Sequence, residues 1–331
     1  MPRLRQLSAT WLVVLAATIM VVAGGVVALV VNGGGNETTA TSLSAPASGS
    51  TAAGHDGDDN HDHTQVAADR PDPTPVRLGP QGAHPQFVVE CDWSHSALDD
   101  PILMPDSPGT SHLHEFFGAT DADAFSTGES LLTSDTTCQN KADTASYWVP
   151  ALYDGDDRVA PDELVAYYRT GDGADPAAVQ SWPVGLVILA GDPGAEEPQS
   201  TGVVGWSCGP SDHLTVLPRQ CTPRAPMVLR LTFPDCWDGT NLDSANHRDH
   251  TAYSTNGQCP AAQPVPMVQL ILAVRYRFDS DPSNLRLASG SMITGHGDVM
   301  NGWHNDELAK LTRLCLNRGE ICGISSNRTD V

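Results

Sequence analysis

The sequence predicts a mainly β domain, β-sandwich-like and loop-rich, stapled by disulfides and carrying a short C-terminal helix. Three observations predict it. A chain that is 40% hydrophobic is interrupted by 30 Gly and 25 Pro, which favours short strands and turns over a helical bundle. Its apolar residues recur in short runs of period 2. Its eight cysteines, an even number, all lie between Cys91 and Cys322.

The runs predict strands over Gln86–Glu90, Ser146–Tyr153, Leu164–Arg169, Val184–Ala190, Pro226–Phe233 and Met267–Phe278. The last is the clearest, because Leu270, Leu272, Val274, Tyr276 and Phe278 fall on one face while Arg275 and Arg277 fall on the other. Ile271 and Ala273 add that its first half is covered on both faces. Pro, Gly, Asp and Asn clusters supply the turns between runs. One helix is predicted near Asn305–Asn317, where Leu308, Leu311 and Cys315 share a face and Asn305 is the expected N-cap. No internal repeat is visible.

None of the cysteines forms a CxxC pair. Short separations suggest Cys208 with Cys221, Cys236 with Cys259 and Cys315 with Cys322, leaving Cys91 for Cys138. Disulfides of this kind belong to an oxidising compartment. Zinc held by cysteine is the weaker alternative, since structural zinc takes closely spaced ligand pairs.

The N-terminus agrees with export. Arg3 and Arg5 precede an uncharged run from Leu7 to Val31, long enough to span a bilayer, so residues 1–31 read as a membrane anchor or a signal segment. Val21-Val22-Ala23 and Val26-Val27-Ala28 offer small residues for cleavage, which would make the protein secreted. Residues 32–81, rich in Thr, Ser, Ala and Pro, have almost nothing large to bury and read as a disordered linker. Its tract of His55, His61 and His63 among four Asp reads as a solvated acidic spacer, with loose metal binding as the alternative. Residues 82–331 remain as the extracytoplasmic globular domain.

Charge excludes some partners. Eighteen Lys and Arg against forty Asp and Glu give a net charge of −22, which argues against nucleic acid and against an anionic membrane surface. The membrane enters only through residues 7–31.

The candidate chemistry lies among the histidines. Ser111-His112-Leu113-His114-Glu115 puts two imidazoles on one face of an extended segment. Asn246-His247-Arg248-Asp249-His250 places two more three apart. His296 stands between Gly295 and Gly297, where the backbone can approach closely, and Asp298 is a candidate to orient an imidazole. Such a set suits one divalent transition metal, copper or zinc. A metal-free network bracing loops uses the same residues. His84, His95, His213 and His304 read as surface or structural.

Other chemistries have less support. No Gly-x-Ser-x-Gly elbow occurs. Asp99-Asp100 and Asp156-Asp157 are adjacent pairs of the kind common in acidic loops, so they point only weakly to glycoside hydrolysis. Among the aromatics, mostly core by their size, Trp148 and Trp303, with Tyr147, are the candidates to stack on sugar rings.

A set of separated motifs resembles a known family. Asp100-Pro101-Ile102, Pro105, Gly109, Ser111-His112-Leu113-His114, Phe117-Gly118, and Asp143 with Ser146 through Tyr153 are similar to its opening blocks. Phe233 through Gly239, Asn241 through Ser244, His247, His250, Cys259-Pro260, Gly295 through Asp298 and Asn301-Gly302-Trp303 are similar to its later ones. This is the secreted family of domains of unknown function numbered nineteen ninety-six, of fungi and bacteria, and the resemblance covers roughly residues 84–318. It implies a cell-wall or extracellular polysaccharide setting and no defined reaction. The chain departs from the pattern where Gln263 replaces a His, where Cys138 stands alone, and where His296-Gly297-Asp298 replaces a His-Ala-Asp-like triplet.

Two functions remain. One is a cell-surface or secreted protein with a His-lined metal pocket acting on an envelope or extracellular polysaccharide. The other is a non-catalytic envelope or carbohydrate-binding module with a structural histidine network.

Overall fold

A computed structural model describes residues 75–76, 84–209 and 213–325. The apolar run 7–31 and the linker with its His–Asp tract, apart from residues 75–76, lie outside the described residues. Pro75–Val76, expected within the linker, pair with Ile321–Cys322 at the margin of the main sheet.

The domain is mainly β, loop-rich and cross-linked by four disulfides. Nine strands carry it: β1 (Gln86–Ala97), β2 (His114–Gly118), β3 (Ser146–Pro150), β4 (Glu163–Arg169), β5 (Val187–Gly191), β6 (Val204–Cys208), β7 (Met227–Thr232), β8 (Gln269–Tyr276) and β9 (His296–Met300). They form one sheet in the order β5-β9-β3-β2-β1-β4-β8-β7-β6, every neighbouring pair antiparallel. The sheet curls almost into a barrel, so its two halves face each other as the layers of a sandwich do.

Alternation sets what faces inward. Leu164, Ala166 and Tyr168 of β4 and Leu270, Leu272, Val274 and Tyr276 of β8 join the central core, each large apolar side chain contributing about 1.5–3 kcal/mol on burial. Val165 and Ala273 turn to the opposite face. Strand β8 ends at Tyr276, short of the expected Phe278, and Arg277 lies beyond it in an ion pair with Asp162 at 2.9 Å. The Ser146–Tyr153 run is two strands, because Ala151 is drawn into a hydrogen bond with the Leu113 carbonyl. The expected strand at Val184 begins only at Val187.

Glycine lets the two ends of the sheet meet. A Cβ on Gly295 would lie 2.7 Å from Val204 Cγ1 of β6, and one on Gly297 would lie 2.4 Å from Leu231 Cδ1 of β7. A side chain at either position would have to displace these buried apolar side chains.

The helix α1 runs over Asn305–Leu311 and continues as a wider π turn over Thr312–Leu316. Its N-cap is His304 rather than the expected Asn305, and that cap makes no side-chain hydrogen bond. Asp306 and Glu307 in the first turn face the positive helix end instead.

The disulfides are Cys91–Cys138, Cys208–Cys221, Cys236–Cys259 and Cys315–Cys322. These are the pairs suggested by separation, and no cysteine is left free.

Candidate metal centre

Two strands and the segment between β1 and β2 place the centre on the outer face of the sheet. His114 of β2 and His296 and Asp298 of β9 point away from the central core, toward a smaller apolar cluster of Phe116, Trp148, Leu189 and Met300. The segment after β1 covers this face and adds Ile102. That segment is a tight loop: Ser111 N donates to the Leu98 carbonyl at 2.9 Å, and Gly109 N donates to Asp99 Oδ1 at 2.7 Å. Asp100 Oδ1 accepts from Ile102 N at 3.0 Å and Leu103 N at 2.9 Å, an Asx-type turn.

The loop and strands bring His112, His114 and His296 together, with one ring nitrogen of each within 4.8 Å of the others. His112 Nε2 lies 3.2 Å from His296 Nε2, and the rings of His112 and His114 are 4.2 Å apart. His114 and His296 are buried, while His112 is partly open to solvent.

Backbone carbonyls fix the tautomers. His114 Nδ1 donates to the Asp99 carbonyl and His296 Nδ1 donates to the Thr294 carbonyl, each at 2.9 Å. A nitrogen that donates there carries the proton, so in the neutral ring Nε2 keeps its lone pair. His114 Nε2 is buried with no hydrogen-bond partner. Two inward lone pairs and a third imidazole 3.2 Å away need a proton or a cation between them.

Electrostatics keep these rings neutral. Burial lowers His112, and it lowers His114 well below its ordinary value, helped by the facing His112 and His296 and opposed by the Asp99 carbonyl. Burial takes His296 down to about 4 against the hydrogen bond from its ring to Thr294. Neutral imidazole is the metal-binding form. Asp298 is pushed up by burial and by the neighbouring Asp100, with Arg248 opposing.

A second group adjoins the first. Ligand atoms of Asp100, His114 and Asp298 lie within 4.8 Å of one another. Asp298 Oδ2 is buried without a hydrogen-bond partner, and the imidazole Nδ1 atoms are held by carbonyls, so Asp298 does not orient a ring as the sequence suggested. Asp100 was missed because Asp99-Asp100 reads as an acidic loop pair. A third group, Cys91, Cys138 and Asp143, is closed to metal because its two sulfurs are joined.

The other candidates stand outside these ligand groups. His247 bonds the Asp243 carboxylate through Nδ1 at 2.8 Å, and His250 bridges Ser244 Oγ at 3.0 Å and the Val187 carbonyl at 2.8 Å. Neither belongs to a three-residue ligand group among the described residues. His250 is therefore a buried brace. His95 plays a similar part, stacked on Phe116 and bonded to the Ala122 carbonyl.

The stacking candidates are corrected. Tyr147, Trp148 and Trp303 are all fully buried, so none offers a ring face to a sugar. Their area is worth more in the core, and two of them satisfy their polar ends there. Tyr147 Oη donates to Asp143 at 2.8 Å and pairs with Tyr168 Oη, which accepts from Trp303 Nε1 at 2.9 Å.

The family model described as Domain of unknown function (DUF1996) matches residues 100–303, more than half of the chain. The chain belongs to this family. All five DUF1996 residues of the two ligand groups, Asp100, His112, His114, His296 and Asp298, lie inside the matched span. Comparison with curated proteins and with solved structures returns no match.

Proposed function

We propose that this DUF1996 protein is an extracytoplasmic metal-binding protein that acts on an envelope or extracellular polysaccharide. His112, His114 and His296 hold its single divalent transition metal, copper or zinc. The observation that carries this reading is the pair of buried imidazoles whose Nδ1 atoms are tied to backbone while Nε2 of one lies unpartnered beside the other two rings. Three histidines with room for one more ligand are the donor set of catalytic zinc sites.

Bound zinc would supply an activated water for hydrolysis, and bound copper would supply oxygen-dependent chemistry. The chain's own part is to hold the imidazoles neutral and oriented, and to leave His112 as the solvent-facing member. A cavity of about 300 Å³ adjoins the covering loop, with Pro101, Ile102, Asp243, His247 and Met300 in its wall. Phe125 beside it is 56% exposed, a ring available to a sugar face.

Four disulfides support an oxidising compartment. Among the described residues no helix is long and apolar enough to cross a membrane, so anchoring rests on residues 7–31. That segment places the domain on the outer membrane face, or releases it if cleaved.

His250 favours a second reading, a non-catalytic envelope or carbohydrate-binding module, because it shows a buried histidine bracing loops without metal. Elemental analysis separates the two. The full chain, purified without a His tag or chelator, is expected to carry one metal ion, lost in the His112→Ala, His114→Ala double variant. No metal, and no uptake of added copper or zinc, would overturn the first reading in favour of the second.

A further inference from the structure

We propose that the centre offers a cation two overlapping positions that share His114: a nitrogen position made with His112 and His296, and a carboxylate position made with Asp100 and Asp298. The proposal rests on the reading of the triad as a metal site and extends it to the acidic group beside it. Both carboxylates are 1% exposed, and their ligand atoms lie within 4.8 Å of a His114 nitrogen and of each other. Asp298 Oδ2 and His114 Nε2 are buried without hydrogen-bond partners, so the residues of the two groups carry two unpartnered polar atoms available to an ion.

The local structure makes both positions rigid. Asp298 and His296 are two residues apart on β9 and share its outer face, while β2, which carries His114, is separated from β9 only by β3. Asp100 is fixed by the two backbone N–H groups that bind its Oδ1. His114 has one lone pair to give, on Nε2, because its Nδ1 donates to the Asp99 carbonyl. It can serve one ion at a time, so the two positions exclude each other.

Ligand chemistry then assigns the ions. Three imidazoles suit zinc or copper, whereas two carboxylates and one imidazole suit a harder divalent ion such as manganese. Two buried carboxylates beside each other also favour a dication, which removes their mutual repulsion. The centre is thus a selector in which the ion's own preference decides which ligands hold it.

The test uses the full chain stripped of metal and titrated with Mn(II) or Zn(II), by calorimetry and by loss of the free manganese paramagnetic signal. The wild type is expected to take one ion of either kind, with zinc displacing manganese. Asp298→Asn weakens manganese by roughly tenfold or more and leaves zinc unchanged, and His296→Ala does the reverse. His114→Ala weakens both. Thermal unfolding of each metal-free variant screens for misfolding, and Asp100→Asn replaces Asp298→Asn if the latter fails to fold. Manganese binding untouched by both carboxylate variants, equal loss of both metals in Asp298→Asn, or two ions bound together and both lost in His114→Ala would overturn the proposal. Failure of the triad reading alone looks different: zinc binding would ignore His296→Ala while manganese still depended on Asp298.

Discussion

At the scale of single residues, burial without exposure to water sets the chemistry of this domain. Asp143 is the clearest case outside the metal centre: full burial pushes its carboxyl up to about 8, against hydrogen bonds from Tyr147 Oη and Ala145 N. A raised carboxyl gives stability that is complete below its ordinary value near 3.8 and is lost as pH rises toward 8. Between about pH 7.5 and 8 the lowered imidazoles, whose ordinary value is 6.5, are nearly all neutral in folded and unfolded chain alike, so they add little slope there. The denaturation midpoint is therefore expected to fall across that window in the wild type. Asp143→Asn keeps a neutral group of the same shape and is expected to reduce the fall, with the buried Asp298, also pushed up, supplying the rest. An equal slope in both proteins would reject a protonated Asp143. None of this was legible in the sequence, where Asp143 is one acid among forty Asp and Glu. His112, His114 and His296 were legible, because two-residue spacing and flanking glycines state a geometry, whereas His247 and His250 share a motif that folds into a separate turn.

At the scale of elements, β9 shows how one strand serves two faces. His296 and Asp298 point to the centre, while Gly297 turns to the core, where only a hydrogen fits against Leu231. Gly297→Ala is expected to cost about 1–3 kcal/mol through overpacking, and to weaken zinc binding by shifting its neighbours. Chemical denaturation with a parallel zinc titration checks it, and unchanged stability would show that Leu231 has room to shift. The alternation of β8 and the helix over 305–311 were written in the hydrophobic period, but their ends were not. Strand ends are set by partners such as the Leu113 carbonyl that captures Ala151, and such partners are distant in sequence. The aromatics misled for the same reason: polar neighbours in sequence made Trp148 and Trp303 look accessible, and the sheet buries both.

At the scale of the whole molecule, covalent links and charge frame the centre. The Cys91–Cys138 bridge closes 47 residues of chain that include Asp100, His112 and His114. Loop-closure entropy puts its stabilisation at about 4 kcal/mol, so the covering loop is held in an oxidising compartment more firmly than in a reducing one. A net charge of −22 favours attraction of cations to the surface around a centre already lined by two carboxylates. X-ray absorption of the zinc-loaded full chain tests the central claim most directly, because imidazole rings leave their own scattering signature. The expected result is a four-ligand shell with three imidazole nitrogens at about 2.0–2.1 Å from zinc. A shell of oxygens without imidazole scattering would contradict it.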